Sequence, residues 1–112
     1  MKTYRSAISR DVQLDALGDS TRRAILARLL EGPLPVGRLA LDFPISRPAV
    51  SQHLRVLKQA GLVADRAVGN RRLYRLDPAG FDSLREYFDQ FWSRALEAFQ
   101  AKVEEPQKEE EE

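Results

Sequence analysis

Ile45-Ser46-Arg47-Pro48-Ala49-Val50-Ser51-Gln52-His53-Leu54-Arg55-Val56-Leu57-Lys58-Gln59-Ala60-Gly61-Leu62-Val63 is the stretch that decides the fold. Ser46 can cap a helix, because its hydroxyl accepts from the unpaired amides of a first turn. Pro48 is tolerated just inside that turn, where no intrahelical donor is lost. Val50, Leu54, Leu57 and Gly61 then fall at i, i+4, i+7 and i+11. One side of the helix is therefore apolar, and Gly61 is its stop. The other side shows Arg47, Pro48, Ser51, Gln52 and Arg55.

Downstream the period changes. Leu62 to Val68 and Arg72 to Leu76 are short β-branched or mixed runs around Gly69-Asn70-Arg71, the pattern of a β-hairpin. Asp77-Pro78 then opens a last helix running to about Lys102. At that length it would extend ~37 Å, more than so small a domain needs for its own core. Upstream, Asp11 to Leu17 reads as a short amphipathic turn or helix with Val12, Leu14 and Leu17 on its apolar side, broken by Gly18. Asp19 or Ser20 caps a second helix, whose apolar face holds Ala24, Ile25, Leu26, Leu29 and Leu30 and which ends at Gly32-Pro33. Val36, Leu39 and Ala40 suggest a short third helix, stopped by Phe43-Pro44. The expected fold is mainly α with a small β-hairpin wing: a winged helix-turn-helix in the order α-α-α-α-β-β-α. Residues 1–10 are expected as a flexible N-terminus, 11–102 as the domain with its long C-terminal helix, and 103–112 as an acidic disordered tail.

The chain has 112 residues, one domain's worth, and a formal charge of +1. That small sum is a cancellation. Residues 103–112 hold six Glu and one Lys, net −5, and the preceding 102 residues carry 17 basic and 11 acidic groups, net +6. The 30 residues from Ser46 to Arg75 contain seven basic side chains against Asp65 alone, so they hold the whole excess. A charge run is commonly only a solvated face, but confinement to one segment is the footprint of a polyanion-binding surface.

A helix is about as wide as the major groove of B-DNA, and its exposed N-terminal half can present donors and acceptors to base edges. Arg47 can grip guanine through two hydrogen bonds, and Gln52 can do the same for adenine. Ser51 reaches bases or phosphate, and Pro48 offers an apolar contact to a thymine methyl. Ser46, Arg55 and Lys58 suit phosphates, and the hairpin tip Asn70-Arg71-Arg72 suits a narrow minor groove or its flanking phosphates.

These motifs resemble those of the ArsR/SmtB family of bacterial repressors. Leu14-Asp15-Ala16-Leu17-Gly18-Asp19-Ser20-Thr21-Arg22-Arg23-Ala24-Ile25-Leu26 is similar to the family's opening, the stretch from Ile45 to Val63 to its recognition helix, and Gly69-Asn70-Arg71-Arg72-Leu73-Tyr74-Arg75-Leu76 to its wing and following strand. The likeness covers roughly residues 12–100. It implies an autoregulatory, homodimeric repressor that binds double-stranded DNA at an imperfect inverted repeat, and not an enzyme. Metal-sensing members carry Cys-x-Cys on the third helix or Asp/His/His/Glu on the last. Here the third helix reads Val36-Gly37-Arg38-Leu39-Ala40, and the last has Asp82, Glu86, Asp89 and Glu97 but no histidine. Carboxylates alone make a poor transition-metal site, so the chain looks like the non-metal branch, with no cofactor expected.

The remaining features have plainer readings. With no cysteine, disulfides and thiolate chemistry are excluded and a cytoplasmic protein is expected. No apolar run approaches a membrane span or a signal peptide. His53, the only histidine, lies on the flank of the apolar face, where packing or a phosphate contact fits better than catalysis. Ser51 has no suggested His/Asp partners for a nucleophile. Arg23 is expected to be structural, and Arg22 to pair with Asp19, Asp15 or phosphate. Phe88, Phe91, Trp92, Ala95, Leu96 and Phe99 recur at helical spacing on the last helix. Together with Leu14 and Leu17 they are expected to form a dimer seam. Two other readings stay open: a pocket between helices that binds a small organic effector, and a winged helix used only for protein interaction.

Overall fold

In the computed structural model, which describes residues 10–104, the chain forms α1 (Arg10–Leu17), α2 (Ser20–Leu29), β1 (Leu34–Pro35), α3 (Val36–Ala40), α4 (Arg47–Gln59), β2 (Val63–Val68), β3 (Arg71–Leu76) and α5 (Pro78–Val103). This is the expected winged helix-turn-helix with one added strand. The segments expected to be a flexible N-terminus and an acidic tail lie, apart from Arg10, Val103 and Glu104, outside the described residues.

The added strand is β1. It pairs antiparallel with β3, Leu34 opposite Tyr74 and Pro35 opposite Leu73, so the sheet has three strands in the order β1-β3-β2. A two-residue strand has no periodicity to read, and its partner lies some forty residues on. Strand β2 pairs with β3 from Val63–Leu76 to Val68–Arg71 around a two-residue Gly69-Asn70 turn. Gly69 takes φ +65° at the first turn position, which an L side chain rarely adopts.

Capping follows the residues that suggest it. Asp19 accepts from the Arg22 amide, Ser46 from Ala49 and Asp77 from Ala79. In the core, Ile25, Leu26 and Leu29 of α2, Leu39 of α3 and Val50, Leu54 and Leu57 of α4 meet Ala60, Leu62, Val63 and Leu84. Each fully buried aliphatic side chain contributes ~1.5–3 kcal/mol.

Two faces differ from expectation. Ala24 of α2 and Leu30 just past its end are exposed, because the inward arc is filled by Ile25, Leu26 and Leu29. In α1, Val12 is exposed, and the buried positions are Ala16 and Gln13, which is 2% exposed. The Gln13 side-chain amide donates to Ala60 O (3.1 Å) and Gly80 O (3.5 Å), tying α1 to the end of α4 and the start of α5. Ala60 O is among the carbonyls that the end of α4 leaves free, and the buried Gln13 amide satisfies it.

The start of α5 is seated against the end of α4. The Asp77 amide donates to Leu62 O at 2.9 Å. The Gly61 carbonyl, following a φ of +76°, lies directly under Gly80.

The Arg22 alternatives resolve toward structure. Its Nε donates to Ala16 O (2.8 Å), its Nη2 to Asp15 O (3.3 Å), and its Nη1 lies 3.3 Å from His53 Nδ1. Arg23 Nη1 donates to Leu17 O at 2.7 Å. Both guanidiniums thus satisfy the last carbonyls of α1, and Arg22 also braces α4. Arg22→Met keeps the stem and removes these bonds; it is expected to cost about 2 kcal/mol, a typical value for charge-assisted hydrogen bonds. Urea unfolding measures it, and an unchanged midpoint would contradict the brace.

Candidate nucleic-acid interface

Helix α4 presents two chemically distinct sides. Val50, Leu54 and Leu57 are fully buried, and the opposite side is open at Arg47, Pro48, Gln52 and Arg55, with Ser51 half-buried. Ser46 spends its hydroxyl on the cap, 3.2 Å from the Ala49 amide, which leaves its contribution to the surface largely one of backbone. The Arg47 guanidinium folds back over Gly37 of α3; a Cβ placed on Gly37 would stand 3.7 Å from its Cζ. Gln52 and Arg55, at i and i+3, are hydrogen-bonded to each other, Nη1 donating to Oε1. Gln52 and Arg55 are therefore held by each other while remaining exposed, which lowers the entropy lost when they bind.

His53 is half-buried on the flank of α4, against Arg22. A guanidinium only donates, so in this contact Nδ1 takes the accepting side.

The wing stands beside the helix. Asn70, Arg71 and Arg72 are exposed at and next to its tip, as are Arg66 and Arg75. Lys58 and Arg72 are not free cations, however. Lys58 Nζ lies 2.8 Å from Asp65 Oδ1, and Arg72 Nε lies 2.8 Å from Asp65 Oδ2. The Asp65 side chain is 6% exposed, whereas those of its partners are more than half exposed. Hydrogen bonds from Lys58 and Arg72 hold the Asp65 carboxyl below its ordinary value of 3.8, and Asp65 in turn raises Arg72. With a lowered folded-state pKa, the stabilisation is present above the ordinary carboxylate value and is lost only as pH falls through the lowered one. At neutral pH the bridge is intact. With exposed cations, each pair contributes little to stability.

The second surface is α5. Phe88, Phe91, Trp92, Leu96 and Phe99 are 43–67% exposed, Ala95 is half-buried, and Val103 continues the same face at 60%. Tyr87 stacks on Phe91 with ring centroids 6.5 Å apart and meets Phe88 edge-on at 5.4 Å, while Arg10 Cζ lies 5.4 Å from the Tyr87 ring centroid. Leu14 and Leu17, expected in the same seam, are half-buried against the chain's own core. In α1 those positions face inward beside Ala16, so most of their area is spent within the monomer.

The sites that sequence reasoning missed are Asp65 as a bridge, Gln13 as a buried link and Gly80 as a contact point. The first had a signal, since it is the lone acid in the basic segment; the other two depend on long-range contacts that leave none. Among the described residues no group of three or more His, Cys, Asp or Glu is placed to hold a metal ion, and no helix is long and apolar enough to cross a membrane.

Comparison with known proteins gives the site its context. Residues 19–65, from the α2 cap to the Asp65 bridge, match the family model described as bacterial regulatory protein, arsR family. The HTH-type transcriptional regulator Rv2034 of Mycobacterium tuberculosis is 59% identical over 99 residues, covering 88% of this chain and 90% of that protein. The transcriptional repressor SdpR of Bacillus subtilis is 42% identical over 62 residues, 55% of this chain and 69% of that one. Among solved structures, an ArsR-like transcriptional regulator from Rhodococcus sp. RHA1 superposes with a TM-score of 0.72 at 31% identity, covering 84% of this chain and 89% of that one.

Proposed function

Because the chain belongs to the ArsR family of bacterial transcriptional regulators, which are not enzymes, we propose that it is a repressor that binds an inverted-repeat operator as a homodimer and regulates its own promoter. The observation that carries this reading is the two-sided helix α4, anchored by Val50, Leu54 and Leu57 and open at Arg47, Gln52 and Arg55 beside a basic wing. An anchored helix can enter a major groove without rearranging the core. Arg47, Pro48, Ser51 and Gln52 read bases; Ser46, Arg55, Lys58, Asn70, Arg71 and Arg72 contact the backbone or a minor groove. Lys58 and Arg72 do so from their place on Asp65. Repression fits the role of the B. subtilis relative SdpR, a transcriptional repressor.

Dimerisation is supported by the aromatic face of α5. An apolar surface of that extent is a liability in a monomer, and on a twofold axis it is self-complementary. Two copies of α4 then stand about one DNA turn apart, roughly 34 Å, which calls for an inverted repeat.

Selection of bound fragments from a random pool, followed by footprinting on the chain's own promoter, tests the reading. A protected palindrome is expected, and log K should fall with log salt at a slope near −7 if a dimer neutralises about 8 phosphates. Arg47→Ala combined with Gln52→Ala is expected to lower operator affinity by roughly 100-fold or more while leaving random-sequence binding within about tenfold. Absent or salt-insensitive protection would overturn the proposal.

A further inference from the structure

We infer that Asp65 determines the selectivity of the DNA-reading face, by holding Lys58 of α4 and Arg72 of the wing on one buried carboxylate so that neither is free to attract DNA of any sequence. The inference rests on the DNA-binding reading above. Asp65 is the sole acid between Ser46 and Arg75, and both of its oxygens are engaged, each at 2.8 Å and by a cation from a different element.

The consequence is electrostatic as well as mechanical. Attraction to random DNA scales with the number of cations that displace counterions from phosphates. A cation already paired with a fixed internal anion adds little to that number, so the three groups act as a single positive charge. Yet neither cation is consumed. Lys58 retains two ammonium hydrogens and Arg72 its terminal guanidinium nitrogens, and both side chains remain more than half exposed. Their remaining donors are aimed by the carboxylate. A phosphate brought to the right place by a fully seated α4 meets them as they stand. A phosphate in a loosely docked, non-specific complex must pull a cation off Asp65 first, so the wrong complexes are penalised more than the right one.

The test compares wild type with Asp65→Asn, which keeps the shape and removes the charge. The ligands are the operator fragment recovered by selection and a random duplex of equal length, titrated over a range of KCl concentrations. Asp65→Asn is expected to bind the random duplex about tenfold tighter at low salt, with a slope steeper by about 1 per protomer. Operator affinity should change less than about threefold, so that the specificity ratio falls roughly fivefold or more. Equal gains on both duplexes, or no change on either, overturn the inference.

A second variant does not depend on Asp65→Asn folding. Asp65→Ala removes the same charge without leaving an amide at the bridge, and the same pattern is expected of it: random-duplex binding about tenfold tighter at low salt, with operator affinity changed less than about threefold. Equal gains on both duplexes overturn the inference. A wild type that fails to discriminate operator from random duplex would instead remove the DNA-binding reading itself.

Discussion

Gly80→Ala is expected to destabilise the domain by at least about 3 kcal/mol, against the usual sign for this exchange in a helix. Glycine inside a helix is ordinarily worse than alanine by about 1 kcal/mol, so propensity alone predicts a gain. Here a Cβ on Gly80 would stand 1.8 Å from the Gly61 carbonyl oxygen and 2.6 Å from its carbon. Those are backbone atoms, held by the Leu62–Asp77 hydrogen bond and by the core residues on either side, and they cannot swing away as a side-chain tip can. Overpacking a core costs typically 1–3 kcal/mol, and this contact can be relieved only by lifting the start of α5. That shift would also break the bond from Gln13 to Gly80 O. For a domain of this size the loss corresponds to a drop in Tm of about 12 °C or more. Thermal unfolding followed by circular dichroism measures it, with Ala79→Gly on the exposed neighbouring position as the control, expected to cost only about 1 kcal/mol. A Gly80→Ala protein as stable as wild type would mean that α5 does not seat on α4 in this way.

The second large effect is expected for Trp92→Arg. Trp92 is 60% exposed and lies between Phe88, Phe91, Leu96 and Phe99, so it contributes little to the monomer core and much to the proposed seam. Buried tryptophans at interface centres are worth about 2–4 kcal/mol each, and on a twofold axis the change is made twice. Bringing two guanidiniums into an apolar seam adds a desolvation cost. The dimer constant is expected to weaken by at least ~1000-fold, giving monomers in sedimentation velocity at micromolar protein. The domain should stay folded, because the residues around Leu54 and Leu57 are untouched. Operator affinity should fall at least about 100-fold, since each half-site would have to be held on its own. An unchanged dimer would place the seam elsewhere.

The reading helix was legible from the residues because everything that makes it is local. Ser46 caps it, Pro48 sits in its first turn, and Val50, Leu54 and Leu57 recur on one side. The hairpin and the Asp77-capped last helix were legible for the same reason. Strand β1 was not, because Leu34 and Pro35 become a strand only through Tyr74 and Leu73. Exposure of Val12 and Leu30 was not, since an apolar residue on a helix does not state how wide the buried arc is. In the candidate site, the residue types and their side of the helix could be read, but the standing of each charge could not. Lys58 and Arg72 look in the sequence like any other basic residues of the segment, and only the sheet brings both to Asp65.

The formal charge of +1 shows where the division lies. By itself the sequence determined that the excess sits between Ser46 and Arg75, because charge and period are properties of neighbours along the chain. Which of those cations are free and which carbonyl lies under Gly80 are questions of distance between residues far apart in sequence. Only tertiary packing sets such distances, and there the bridge on Asp65 and the seat of α5 were decided.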